Sequence, residues 1–278
     1  CMMAACLTRV PVRVHTFTGL VWPTATGLKR RLLMMTDKIT CACATHVIPE
    51  GEGVMGDLRS GGITSKPMRV LGHGNVKGVD MEHFNPARFE PHDSHGVFTF
   101  LFVGRIVGDK GINELVEAFA RLHEELPNTR LMMVGNYETE LDPVSQDTCR
   151  LIDAMDSIET PGAKRGDDLV RAYAEADCFV MPSYREGFPN VVLEAGAMGL
   201  PSVVTDINGS REIVENGKNG LVVPPRDATS LYDAMRLMAT DSEARQRMAR
   251  EARPMIDSRF ERGYVQQCQI EFYKEVMG

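Results

Sequence analysis

Residues 97–103, Val-Phe-Thr-Phe-Leu-Phe-Val, form an almost unbroken apolar run, and no other feature of the sequence constrains the fold as strongly. A strand with one wet face alternates apolar and polar residues, whereas a continuous run belongs in the middle of a parallel sheet covered on both faces. The residues that follow agree. Ile112, Leu115, Val116, Phe119, Leu122 and Leu126 recur at helical spacing and define one apolar stripe. The alternation then repeats, with a strand over 130–134, a helix over about 144–155, a short strand near Ile158, a helix over 167–176 and a strand over 178–181. A helix from Asn190, a strand over 202–205, a hairpin-like segment over 220–223 and helices near 229–239 and 242–253 close the series. Strand, helix, strand in this rhythm predicts an α/β fold with a doubly wound parallel sheet.

The first third of the chain is less regular. Val10-Pro11-Val12-Arg13-Val14-His15 alternates and reads as a strand ending near Thr16. A helix over 26–38, a strand over 45–48, a helix over 53–59 and a strand over 68–71 are expected next. Gly72-His73-Gly74-Asn75-Val76-Lys77-Gly78-Val79-Asp80 is rich in glycine, and Asn85-Pro86 and Glu90-Pro91 follow. Turn residues at this density predict a linker. The expected organisation is a partial Rossmann-like domain over 1–80, a linker over 81–96, a complete Rossmann-like domain over 97–262, and a last helix over 263–278 packing back on the first domain. The chain opens on Cys rather than Met, and residues 1–7 are almost wholly apolar. That pattern reads as the end of a core helix in a longer protein.

With 43% hydrophobic and 25% charged residues the composition is that of an ordinary soluble domain protein. A formal net charge of −7 argues against a general nucleic-acid binder, since phosphate backbones call for a basic face. No apolar run approaches the about 20 residues that cross a bilayer, and no signal-peptide pattern opens the sequence. The seven cysteines include no C-x-x-C pair, and Cys41 and Cys43 read as small buried apolar residues, which fits a cytoplasmic protein. Lys29-Arg30-Arg31 precede Leu32-Leu33-Met34-Met35. This stretch reads either as a peripheral contact with headgroups on the inner face of a membrane or, more commonly, as a core-facing helix with a basic outer face. His92 and His95 lack a third ligand nearby in sequence and read as solvated.

Open parallel sheets bind ligands at the carboxyl ends of their strands. Two loops at such ends stand out. Gly104-Arg105-Ile106-Val107-Gly108-Asp109-Lys110-Gly111 offers two cations and flexible backbone beside a helix start, which suits an anion. It lacks the ending and spacing of a Walker loop. Arg185-Glu186-Gly187-Phe188-Pro189-Asn190 leads into a helix with Asn190 as its expected N-cap, so the amides of Val191 and Val192 suit a phosphate. Glu186 stays in the loop while Glu194 stands one turn into the helix, and a carboxylate there can accept two hydrogen bonds from a sugar diol. Alone, the first loop reads equally as a charged surface turn, and the two glutamates as partners of the helix dipole.

Together the two loops resemble the retaining GT-B glycosyltransferases of family four. The resemblance rests on Gly104-Arg105, Lys110-Gly111, the pair Glu186 and Glu194, Pro182-Ser183, Gly187-Phe188-Pro189, Gly199-Leu200-Pro201, Gly209 to Val214 and Asn219-Gly220. It extends over residues 97–253, and Gly78-Val79-Asp80 with Phe84 is similar to the family's interdomain segment. It implies two Rossmann-like domains, the first incomplete and holding the acceptor, the second holding a nucleotide-sugar donor, with a UDP-sugar expected. Arg105 and Lys110 would neutralise the donor diphosphate, Glu194 would bind the ribose, and Glu186 would lie beside the transferred sugar. Backbone from Gly187 through Phe188, Pro189, Asn190 and Val191 to Val192, with Gly104 in the facing loop, would contact the donor. The family's functional histidine sits in a loop after a strand of the first domain, which makes His15 the candidate.

The expectation is a retaining hexosyltransferase, working without metal or cofactor, that moves a sugar to a glycan or lipid-linked acceptor in surface polysaccharide synthesis. A sugar-nucleotide epimerase and a non-catalytic nucleotide-sugar-binding module are the alternatives.

Overall fold

A computed structural model describes residues 1–90, 96–138, 140 and 142–278. His92 and His95 lie outside the described residues. The chain divides into two compact units. The first comprises Cys1–Gly78, Glu186–Pro189 and Arg259–Gly278, and the second Val79–Arg185 and Asn190–Ser258.

In the first unit, β1 (Val14–Phe17) and β2 (His46–Pro49) pair in parallel, with Val14 opposite His46 and Phe17 opposite Pro49. The alternation from Val10 predicts an earlier start. Pro11 has no N–H to give to a ladder, and the Arg13 guanidinium turns back onto the carbonyls of Val10 and Cys43. These contacts hold residues 10–13 as a looped lead-in. The helix Gly27–Cys43 follows and runs five residues beyond the expected end at Lys38. Lys66 caps it, its Nζ donating to the carbonyls of Cys41, Ala42 and Ala44 at 2.7, 2.9 and 2.5 Å. Met68 makes a single parallel bridge to Val47 where a full strand over 68–71 was expected.

Phe17, Trp22, Cys41, Val47, Val54 and Leu58 form the core of the first unit, with the helix Glu52–Ser60 supplying the last two. Cys41 is buried as its sequence context predicts, but Cys43 is only partly so. The first helix, Met2–Leu7, buries no residue completely, although Met2 packs against the core. The last helix, Arg262–Met277, belongs to this unit and buries Val265 and Phe272. Gln269 fixes it by donating to the Val76 carbonyl at 2.7 Å, and Arg69 pairs with Glu275 at 3.0 Å.

In the second unit the strands are β3 (Phe98–Val103), β4 (Thr129–Val134), β5 (Ile158–Glu159), β6 (Cys178–Met181), β7 (Ser202–Thr205) and β8 (Gly220–Val223). They form one parallel sheet in the order β5-β4-β3-β6-β7-β8. Phe100, Leu101 and Phe102 of β3 are fully buried, as the unbroken apolar run requires. β8 pairs in parallel with β7, Ser202 opposite Gly220, and is not the arm of a hairpin. The tight turn in which Gly217 donates to the Gly220 carbonyl gives the sequence its hairpin look.

The segment that reads as a linker is partly anchored in this unit. Phe84 packs edge-on against Tyr173 at 6.0 Å, and Arg253 donates to the carbonyls of Met81 and Phe84 at 2.8 and 2.7 Å. Turn-forming residues predict a break in regular structure, and they do not exclude burial. The helix beginning at Ser242 continues through Pro254 to Phe260. A proline inside a helix costs about 3 kcal/mol, and burial beyond it offsets this: Ile256 is fully buried, packed so closely on Gly196 that a Cβ there would lie 2.6 Å away.

Candidate functional site

The strand order places a topological switch point between β3 and β6, from which the sheet is wound in opposite directions. Crevices of open α/β sheets form at such a point. Both loops singled out by the sequence start there: 104–111 follows β3, and 182–189 follows β6. The first loop is shaped by glycine. Gly111 has φ +70°, and a Cβ on it would come within 2.1 Å of the Pro182 carbonyl oxygen. Gly135, after β4, lies so close to the Gly104 carbonyl that a Cβ would stand 1.7 Å from it. No side chain fits at either place.

Side chains the sequence reading did not single out tie these loops together within the second unit. The Asp109 carbonyl accepts from the Tyr184 amide at 2.9 Å, and its carboxylate pairs with Arg185 at 2.9 Å. Tyr184 donates its phenol to Glu114 at 2.6–2.7 Å, and Arg226 lies over its ring at 4.4 Å. Burial and the Glu114 carboxylate push the Tyr184 phenol well up, so it remains a donor. Among the described residues, Asp109 Oδ1, Ser183 Oγ and Ser210 Oγ are buried without a hydrogen-bond partner. They follow β3, β6 and β7 respectively. Native proteins leave few buried polar atoms unsatisfied, so each of these, like Trp22 Nε1 and Ser157 Oγ elsewhere, calls for a partner such as a water or an ion.

Arg105 and Lys110 both stand on the first loop. Arg105 is half exposed and pairs with Glu138 at 2.7 Å, a surface contact that an incoming anion can displace at little cost. Across the switch point the helix Asn190–Ala197 begins at Asn190 itself, one residue earlier than an N-cap at that position implies. Its first amides lack intrahelical partners by geometry. Glu194, half-buried one turn in, accepts a hydrogen bond from Tyr173 at 3.0 Å. Tyr173 is fully buried, and burial, then the Glu194 charge, raises its phenol far above the ordinary value. It therefore holds one carboxylate oxygen and leaves Glu194 a fixed acceptor. The second unit thus carries Gly104, Arg105 and Lys110 on the loop after β3, and Asn190, Val191, Val192 and Glu194 on the helix after β6, its neighbour in the sheet.

The remaining candidates belong to the first unit. Glu186–Pro189 packs against the loop after β1: a Cβ on Gly187 would lie 2.0 Å from the Thr18 carbonyl oxygen, and one on Gly19 3.2 Å from the Gly187 Cα. Phe188 is 5% exposed and its ring sits 5.4 Å from that of Phe260, so it serves the core and leaves only backbone for a ligand. Pro189 is buried too.

His15 lies inside β1, opposite Val47, and not in the loop that follows. The strand starts late and ends late, which moves the loop to Thr18-Gly19. Side chains alternate along a strand. Val14, Thr16 and Thr18 line a cavity of about 140 Å³ with Glu50, Asn75 and Gln269, whereas His15 turns to the opposite face and stands edge-on to Phe17 at 4.5 Å. Burial lowers its pKa, and nearby Asp37 partly opposes this. Among the described residues no group of three His, Cys, Asp or Glu side chains is arranged to hold a metal ion.

Comparison with known proteins gives this arrangement a family. The family described as "Glycosyl transferases group 1" matches residues 85–255. The capsular polysaccharide biosynthesis glycosyltransferase CapM of Staphylococcus aureus is 28% identical over 264 residues, which cover 93% of this chain and 69% of CapM. Glycogen synthase of Mycobacterium tuberculosis is 34% identical over 184 residues, 66% of this chain and 44% of that protein. Anabaena HepE, solved in complex with UDP, superposes with a TM-score of 0.84 at 20% identity, over 99% of this chain and 75% of HepE. A HepE complex with UDP-glucose superposes with a TM-score of 0.81. The fold is GT-B, built from Rossmann-like α/β units, and the family match spans more than half of the sequence. The chain belongs to the glycosyl transferases group 1.

Proposed function

We propose that the protein transfers a hexose from a nucleoside diphosphate sugar, with UDP as the nucleotide, to a glycan or lipid-linked acceptor, with retention at the anomeric carbon. The observation that carries this reading is the switch point of the second unit. It carries two cations on the loop after β3, which glycine and Asp109 hold in shape, and a helix start with a buried-tyrosine-braced glutamate after β6. Arg105 and Lys110 take the diphosphate, the amides at Asn190–Val192 take a phosphate oxygen, and Glu194 takes the ribose hydroxyls. The match to the family favours transfer over isomerisation of the sugar nucleotide. CapM, in capsular polysaccharide synthesis, supports an acceptor of the glycan or lipid-linked class.

Departure of a nucleoside diphosphate gathers negative charge on two phosphates, which fixed cations and dipoles stabilise in the transition state. Arg105, Lys110 and the start of the helix Asn190–Ala197 supply these, so the reading includes turnover without a divalent ion. His15 is left out of this reading, because it lies within β1 with its ring edge-on to the core residue Phe17. Calorimetric titration of UDP and of UDP-hexoses is the direct test of the donor. Binding of neither overturns the reading. Activity lost in EDTA and restored by magnesium or manganese overturns metal independence, and an inverted anomer in the first-formed product overturns retention.

A further inference from the structure

Arg226 stands in the left-handed backbone region, with φ +62°, where glycine is at ease and a long side chain is uncommon. Its neighbours hold it there. The ring of Pro225 fixes the backbone before it. Asp227, after it, caps the helix Ala228–Thr240, its carboxylate accepting from the Ser230 amide at 2.9 Å and the Ser230 hydroxyl at 2.6 Å. The chain leaving β8 turns at residue 226 to enter that helix, and a glycine would make the turn with less strain.

What an arginine supplies and a glycine lacks is the guanidinium. That of Arg226 lies over the ring of Tyr184, 4.4 Å from the centroid, where the face of the ring attracts a cation. Among the described residues it forms no hydrogen bond or ion pair. Tyr184, on the loop after β6, is pinned from three sides. Its amide donates to the Asp109 carbonyl at 2.9 Å, its phenol donates to Glu114 at 2.6–2.7 Å, and its ring carries Arg226. Asp109 precedes Lys110 on the loop after β3, and its own amide donates to the Asp142 carboxylate at 2.6 Å. β3 and β6 are neighbours in the sheet, whereas β8 is the edge strand, with β7 between it and β6. Arg226 therefore reaches from the edge of the sheet to the point where the two loops are tied together.

We propose that Arg226 is a positioning residue for the nucleotide: stacked on Tyr184, it holds the loop after β6 against the loop after β3 and so keeps the Lys110 loop in the shape that receives a diphosphate. The nucleotide in this role rests on the donor reading above, whereas the ordering of Tyr184 does not. Arg226→Gly removes the side chain and the strain together. It should melt close to the parent, since the strain relieved offsets the stack lost, and yet bind UDP about 3- to 10-fold more weakly in calorimetric titration. Hydrogen exchange at the Tyr184 amide should quicken in the nucleotide-free protein. Tyr184→Leu, which removes the ring, should weaken UDP binding as well, and adding Arg226→Gly to it should weaken binding no further. Unchanged UDP binding in Arg226→Gly overturns the proposal. So does weaker binding with Tyr184 exchange unchanged, or losses that add in the double variant, because either result means that Arg226 meets the nucleotide directly. A parent that binds no UDP sinks the donor reading. Quickened Tyr184 exchange in Arg226→Gly then still upholds the ordering role, and unchanged exchange overturns it.

Discussion

The two units differ in how much of their order their own residues supply. β3, β6 and β7 are buried almost throughout, while β1 is only partly buried until Phe17. Among the described residues, the second unit has six strands in one sheet, and the first has two strands and one bridging residue. Of the largest fully buried side chains, Leu58 and Phe260 lie in the first unit, while Tyr173, Phe100, Phe102, Phe119 and Phe179 lie in the second. A site that must hold several groups to a fraction of an ångström belongs on the more tightly packed frame. The contrast teaches where geometry and where adaptability should be sought.

The largest effect should come from the core of the second unit. Phe119→Ala removes a fully buried ring and should cost about 3–5 kcal/mol in chemical denaturation. Leu58→Ala, equally buried in the first unit, should cost about 2–5 kcal/mol. Hydrogen exchange then sharpens the contrast: Leu58→Ala should release β1 and β2 amides while leaving β3 and β6 protected. Equal loss in both units would break the comparison.

Arg105→Ala should weaken UDP binding by about 2 kcal/mol, the scale of one hydrogen bond to a charged group, and leave the melting temperature near that of the parent. Gly111→Ala meets both a left-handed backbone angle and the Pro182 carbonyl. It should destabilise the second unit by about 1–3 kcal/mol and also weaken UDP binding by distorting the Lys110 loop. Unchanged binding in either variant removes the first loop from the site.

Tyr173→Phe is milder. It leaves packing intact and deprives Glu194 of its buried donor, so stability should fall by about 1–2 kcal/mol. Discrimination between ribose and deoxyribose donors should narrow, measured by competition binding.

The smallest effect belongs to the first unit and depends on pH. The folded-state pKa of His15 lies below 6.5, so the unfolded chain binds the proton more readily. Stability from this group is present above about 6.5 and declines as pH falls from there to the lower folded-state value. Asp37, raised by burial, acts oppositely, reducing stability as pH rises from its ordinary carboxylate value toward its raised one. His15→Gln should flatten the melting-temperature profile between pH 5 and about 6.5 and leave UDP binding alone. A lost binding signal would return His15 to the site.

Legibility followed local pattern. β6 and β7 were readable to the residue, because buried parallel strands and amphipathic helices carry their periodicity within a dozen positions. β1 was misplaced since its start is decided by Arg13, Thr45 and β2, some thirty residues apart. That shift matters for His15, which lies in the middle of β1, opposite Val47, and not at the strand's end beside the following loop. Arg105, Lys110 and Glu194 could be picked out by charge beside helix starts. Tyr173, Tyr184 and Asp109 could not, because their partners lie 18 to 76 positions away and a tyrosine between apolar residues looks like filler. The burial of Phe188 and Phe84 was hidden for the converse reason, since turn residues around them advertise exposure.

Asp109 grips the amide of Tyr184 and the guanidinium of Arg185. The loops after β3 and β6 therefore cannot drift apart independently, and a nucleotide that touched both, as proposed, would behave as a chelator does. On the proposed reading, once the phosphate is seated the ribose would arrive at Glu194, and the ordering penalty would be met once instead of twice. Phosphate alone and nucleoside alone should then each bind far more weakly than half the free energy of the joined molecule. Asp109→Asn, which weakens the pairing with Arg185, should erode that advantage of linkage.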